Sequence, residues 1–220
     1  MTQSYFVVGT DTNVGKTYVA CALVQHFARQ SLKTVGMKPI ASGCQLNQQG
    51  ELMNDDASAL INASNVNAPL DLINPYRFLP AIAPHLAAAQ AGVTVNLHTI
   101  TQAYLQLSTL AEVVIIEGAG GFFVPLNQTE TLADLALQLN VPIILVVGMR
   151  LGCINHALLT VEAIQARGLS LHGWVANQID PNFDMFQENL SSLQQRIAAP
   201  CLSVVRWSEQ ARFDEGTFIR

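Results

Sequence analysis

The stretch "GTDTNVGKT" brings together residue types that can hold a polyphosphate. Amides at the opening of a helix and the positive end of its dipole attract anions. The Lys16 ammonium can follow the outer phosphates, and the Thr17 hydroxyl can ligate magnesium. Such loops usually read glycine, four residues, then Gly-Lys-Ser/Thr. Here Gly15-Lys16-Thr17 fits the end, but Gly9 falls one residue early and Thr10 stands at the expected glycine. The stretch lies between the strand-like "YFVVG" and an amphipathic "GKTYVACALVQHFARQ", the setting that phosphate binding requires. It is a P-loop of variant spacing.

Other polar residues interrupt apolar runs. Lys38 ends the second strand at "MKPI", level with the loop, where a lysine either balances an anion or snorkels from a strand end. Glu117 follows four β-branched residues in "VVIIEGAGG". Buried there, a carboxylate is costly unless paired or on a metal, and it is assigned to magnesium with Thr17. Gly118, Gly120 and Gly121 behind it would let backbone approach a ligand. A third oxygen is expected from "NDDASAL", where Asp55 and Asp56 could equally cap the next helix. Asn177 closes "GWVANQ", placed to read a purine edge. "NQID" has the spacing of a guanine-reading Asn-Lys-x-Asp element, with Gln178 for the lysine, although Asp180 before Pro181 suggests a turn. That partial match predicts only modest discrimination against GTP. Neither His85 nor His156 is assigned to catalysis.

These residues need a frame. Six short runs read as buried parallel strands: "YFVVG", "KTVGMKPI", "EVVIIEG", "VPIILVVG", "LHGWVANQ" and "CLSVVRW". Helical patterns lie between them, including "LADLALQLN" and "INHALLTVEAIQARG", the latter with Asn155 as N-cap. Alternation of this kind predicts an α/β fold, a doubly wound, mostly parallel sheet with helices on both faces. Ligands then sit beyond the carboxyl ends of the strands, where "GTDTNVGKT", "KPIASG", "EGAGG", "GMRLGCINH" and "NQID" all fall. From Ala41 to Ala111 the pattern weakens into helices and loops, a natural substrate-facing insertion. With no internal repeat or linker, residues 1–220 read as one domain.

The variant loop resembles that of the dethiobiotin synthetases, Gly-Thr-Asp-Thr-x-Val-Gly-Lys-Thr. "KPIASG", "NPYRF", "EGAGG", "VPIILVVGMRLGCINHALLT" and "GWVANQ" agree in the same order, from residue 5 to about residue 178. The resemblance implies a three-layer P-loop NTPase fold. It also implies an activity, the conversion of 7,8-diaminopelargonate, CO2 (or bicarbonate) and ATP into dethiobiotin, ADP and phosphate with Mg2+, in a homodimer. By the same resemblance Lys38, Lys16 and Thr12 are catalytic and Ser42 contacts substrate. Asp56 joins Thr17 and Glu117 on the metal, leaving Asp55 as the cap. The nucleotide is surrounded by Asn13, Val14, Gly15, Lys16, Thr17 and Tyr18 from the loop, and by Gly118, Ala119 and Gly120 behind Glu117. Asn177, Gln178, Arg206, Trp207 and Ser208 cover the base, although the family often has proline where Arg206 stands. Gly152, Cys153, Ile154 and Asn155, contributed across the dimer, receive the substrate's terminal carboxylate.

Composition excludes other classes. The net charge is -5, and the 11 Lys and Arg residues are scattered, so no footprint for nucleic acid is present. No apolar stretch approaches the ~20 residues that span a bilayer. The four cysteines form no CxxC pair, as expected of reduced packing residues in a cytoplasmic protein. A partitioning-type ATPase, the rival reading, typically carries a second lysine early in the loop, where Thr10 and Asp11 stand. It also needs a basic face or amphipathic tail, which "SEQARFDEGTFIR" does not supply.

Overall fold

A computed structural model describes residues 2–207. Along the chain, β1 (Gln3–Gly9) leads through the phosphate loop into α1 (Lys16–Arg29) and β2 (Thr34–Met37). The insertion follows: β3 (Ile40–Ser42), β4 (Gln45–Leu46), β5 (Leu52–Met53), α2 (Asp55–Ala63), α3 (Leu70–Ile73), β6 (Tyr76–Phe78), α4 (Pro84–Gln90) and α5 (Leu97–Leu110). Regular alternation then resumes with β7 (Val113–Gly121), α6 (Leu132–Leu139), β8 (Ile143–Met149), α7 (Cys153–Ala166), β9 (Leu171–Gln178), α8 (Phe186–Arg196) and β10 (Cys201–Val205).

All six apolar runs enter one sheet, in the order β10-β9-β8-β1-β7-β2, and every neighbouring pair is parallel; "KTVGMKPI" does so only as far as Met37, its Ile40 passing into the separate β3. Successive side chains on a strand point to opposite faces, so each continuous apolar run supplies two cores. Phe6, Val8, Val114, Ile116, Leu145 and Val147 face one core, closed by side chains of α5 to α8. Tyr5, Val7, Val113, Ile115, Val146 and Val175 face the other, closed by Val19, Leu23 and Phe27 of α1 and Leu60 of α2. The result is a three-layer, doubly wound α/β fold. Among the described residues no helix is long and apolar enough to cross a membrane.

The insertion is richer than its pattern predicts. Beyond helices it holds two small ladders, β3 beside β6 in parallel and β4 against β5 in antiparallel. Strands of two or three residues are too short to show a period. Two caps also differ from expectation. Asn54, not Asp55, caps α2, its Oδ1 accepting from the amides of Asp56 (3.1 Å) and Ala57 (3.3 Å). Asn155 lies inside the first turn of α7, whose N-cap is Gly152 at φ 92°. A left-handed residue there turns the chain out of the sheet, and glycine adopts it without steric cost.

Candidate functional site

Period two aims the functional side chains. Ile115 and Val175 belong to the core beneath α1. Two residues on from each, Glu117 and Asn177 therefore project on that same side, at the height where α1 opens. Lys38 stands one residue beyond β2, two on from Gly36. Three strand tips thus deliver a carboxylate, an amide and an ammonium around the first turn of one helix.

The loop itself is held from several directions. Asn13 and Gly15 adopt positive φ, 58° and 86°. The Asn177 Nδ2 donates to the Val14 carbonyl at 2.8 Å, and a Cβ on Gly15 would lie 2.1 Å from that nitrogen. Glycine is therefore required at position 15 by both conformation and space. No side chain caps α1, leaving its opening amides for an incoming anion. Lys16 is 6% exposed and folds back to donate to the Asp11 carbonyl at 3.0 Å. Burial, with Lys38 nearby, lowers its pKa to about 8. Arg150 pairs with the Asp11 carboxylate at 2.6 Å. Neither Asp11 nor Arg150 was found from the sequence, because no local pattern signals a pair 139 positions apart.

Beside the loop lies a charged cluster. The Lys38 Nζ sits 2.7 Å from Glu117 Oε1 and 2.8 Å from Asp56 Oδ2. The Thr17 hydroxyl donates to Glu117 Oε1 at 2.8 Å. Burial works against the Lys38 ammonium, but the two carboxylates outweigh it and raise its pKa above the ordinary lysine value. For Asp56 burial is likewise opposed, by Lys38, by the Thr17 hydroxyl and by Lys16, and its pKa is lowered. Lys38 is thus charged although only 4% exposed. Glu117 is fully buried, and its Oε2 meets no donor among the described residues. Hydroxyl and carboxylate oxygens of this kind suit a hard divalent cation, and the Lys38 ammonium already marks the point where positive charge is favoured.

A cleft of about 550 Å3 opens from the cluster, lined by Thr12, Asn13, Lys38, Ser42, Asn54, Asp56, Ala119 and Gly120, with residues 81–84 opposite. The Ser42 hydroxyl is buried without a partner among the described residues. Asn54 ties the rim together, since besides capping α2 it donates to the Ser42 carbonyl at 3.3 Å. His85 lines a separate hollow with Leu126 and Asn127.

The other expected positions have protein contacts of their own. A Cβ on Gly118 would meet Leu132 Cδ2 at 2.8 Å, so this glycine admits close packing at the start of α6. Tyr18 packs at the edge of the core beneath α1. Gln178 donates to the Asp180 carbonyl (3.2 Å) and accepts from the Trp207 amide (3.3 Å). The Arg206 guanidinium lies 3.8 Å over the Phe186 ring, and Trp207 is 52% exposed. Ser208 and the tail beyond it lie outside the described residues. Gly152, Cys153, Ile154 and Asn155 do not line this protomer's cleft.

A parallel sheet whose strand tips converge on a phosphate loop at a helix opening defines a P-loop nucleotide-binding protein. A family model described as an AAA domain matches residues 3–213. Among solved structures, the septum site-determining protein MinD of Pyrococcus horikoshii, complexed with Mg-ADP, is similar with a TM-score of 0.59 at 16% identity, covering 94% of this chain and 82% of that one. A ParA family ATPase from Chlorobium tepidum gives 0.58 at 10%, covering 95% and 86%. At such identities the likeness speaks for the fold alone.

Sequence relatives go further. The ATP-dependent dethiobiotin synthetase BioD of Aromatoleum aromaticum is 52% identical over 203 residues, 92% of this chain and 90% of the relative. That of Nitrosospira multiformis is 49% identical over 209 residues, 95% and 90%. The chain belongs to the ATP-dependent dethiobiotin synthetase family of ligases.

Proposed function

We propose that the chain carries out dethiobiotin synthesis in the following way. An amine of 7,8-diaminopelargonate captures CO2 as a carbamate, releasing a proton. ATP phosphorylates the carbamate oxygen, giving ADP and a mixed anhydride. The second amine attacks the carbonyl carbon, phosphate leaves, and the ureido ring closes. No covalent enzyme intermediate is needed. The proton lost by the attacking amine can leave on the departing group.

Catalysis of this kind is mostly positioning and charge stabilisation. The amides opening α1 and Lys16 hold the phosphates. Thr12 and Ser42 orient the acceptor in the cleft. The observation that carries the reading is Lys38, a buried ammonium on the wall shared by loop and cleft. There it can neutralise carbamate and transferring phosphoryl together. Thr17, Asp56 and Glu117 would hold a magnesium ion, which supplies further neutralisation of phosphate oxygens. Asn177, Gln178 and residues 206–208 serve the base. The working unit is a homodimer, a single domain per protomer, in the cytoplasm, with residues 152–155 of the second subunit receiving the substrate carboxylate.

The test is ATP turnover with 7,8-diaminopelargonate and bicarbonate, with dethiobiotin read by mass spectrometry. Turnover dependent on both supports the reading. Hydrolysis indifferent to them but stimulated by DNA or lipid vesicles would overturn it in favour of the partitioning ATPases.

A further inference from the structure

Lys38 stands at a hand-over in the backbone. Upstream, β2 pairs with β7 as far as Met37 opposite Ile116. Downstream, the chain pairs with β6 from Ile40 opposite Tyr76. Lys38 itself is in neither ladder, yet a backbone buried at this depth must find partners for both of its polar groups. It finds them in two consecutive residues of the insertion. The Lys38 amide donates to the Ile73 carbonyl at 2.8 Å. Its carbonyl accepts from Asn74 Nδ2 at 2.5 Å.

Asn74 is fully buried and does not line the cleft. Its Nδ2 also donates to the Tyr76 carbonyl at 3.2 Å. Both neighbours are acceptors, so the amide orientation is fixed by chemistry, since only the NH2 end can face two carbonyls. Its Oδ1 meets no donor among the described residues. Burying an amide is unfavourable unless its hydrogen bonds are used, and leucine would fill a similar volume without that cost. Packing therefore does not account for the residue; its two donors do. The Arg77 guanidinium donates to the Asn74 carbonyl at 2.7 Å and pairs with Asp71 at 2.7 Å, bracing the bend from outside.

We propose that Asn74 is a positioning residue for this ligase, which acts through the Lys38 backbone to set where the catalytic ammonium stands relative to the phosphate loop and the cleft. The proposal rests on Lys38 being catalytic. Among the described residues the Asn74 side chain bonds to Lys38 and Tyr76 and not to the phosphate loop, so the effect is expected on kcat and not on nucleotide affinity.

The test is a kinetic cycle with Asn74→Asp, Lys38→Gln and the double variant. Asn74→Asp keeps the volume but turns an acceptor toward both carbonyls. The expected result is a fall in kcat of about 10-fold or more with the ATP dissociation constant within twofold of wild type, and no additional loss of rate on the Lys38→Gln background. Wild-type kcat in Asn74→Asp would overturn the proposal, as would losses that multiply in the double variant. Full activity in Lys38→Gln would instead overturn the catalytic role of Lys38. If Asn74→Asp does not fold, Asn74→Ser repeats the cycle. If neither folds, nuclear magnetic resonance of the wild type decides, a slowly exchanging Asn74 side-chain amide supporting the clamp and a freely exchanging one removing it.

Discussion

At the scale of single residues, the site has two positions that tolerate few other side chains. Gly15 is one, with φ 86° and no room for a methyl group. Gly15→Ala carries a left-handed penalty of ~1–2 kcal/mol before the clash with Asn177 is counted. ATP should bind about 10-fold more weakly or worse by titration calorimetry, and unchanged affinity would show that the loop rearranges freely. Lys38 is the other, a charge kept in the interior by Glu117 and Asp56. Lys38→Gln should lower kcat by ~10²–10³, the loss seen when one donor to developing negative charge is removed. Steady-state phosphate release measures it.

Helices add their own ledger of small, separable terms. The Asp134 carboxylate accepts from the amide and hydroxyl of Thr131, at 2.7 and 2.6 Å, closing the start of α6. The Thr131 hydroxyl bond, opposed only in part by burial, holds its pKa below the usual 3.8. A depressed carboxyl contributes stability above its unfolded pKa and loses it as pH falls through the folded value. Asp134→Ala should cost ~0.3–1 kcal/mol in urea denaturation at neutral pH, as for an acidic residue in a first helical turn, with the gap to wild type narrowing as pH falls toward and through 3.8. A gap independent of pH would exclude the charge. What the sequence revealed divides along similar lines. Buried parallel strands announce themselves by continuous apolar runs, so all six were readable, and so were Lys38 and Glu117 as polar breaks at or near their tips; Asp56, on the first turn of α2, was singled out from Asp55 only by the family resemblance. Caps and small ladders depend on which residue first turns helical or on partners 36 positions apart, as with Lys38 and Asn74. That information is not local.

For the molecule as a whole, the quantity to measure is assembly. Leu159 on α7 is 60% exposed and Leu151 just before it 90%. If residues 152–155 serve a second subunit's site, a charge at Leu159 should separate the protomers and raise KM for the diamine. A helix-end contact of ~1 kcal/mol corresponds to about fivefold, with KM for ATP unchanged. Sedimentation paired with kinetics reads both, and a monomeric Leu159→Glu enzyme of normal KM would sink the shared site. The pleat imposes one last consequence. Because Glu117 and Gly118 look to opposite sides of β7, deleting one residue from Val114, Ile115 or Ile116 would swing the carboxylate into the core where Ile116 packs and bring glycine to the loop. Length in this strand thus matters more than identity: an isoleucine can become a valine at ~0.5–1.5 kcal/mol, but a frame slip of one takes the carboxylate away from Thr17 and from the Lys38 ammonium together.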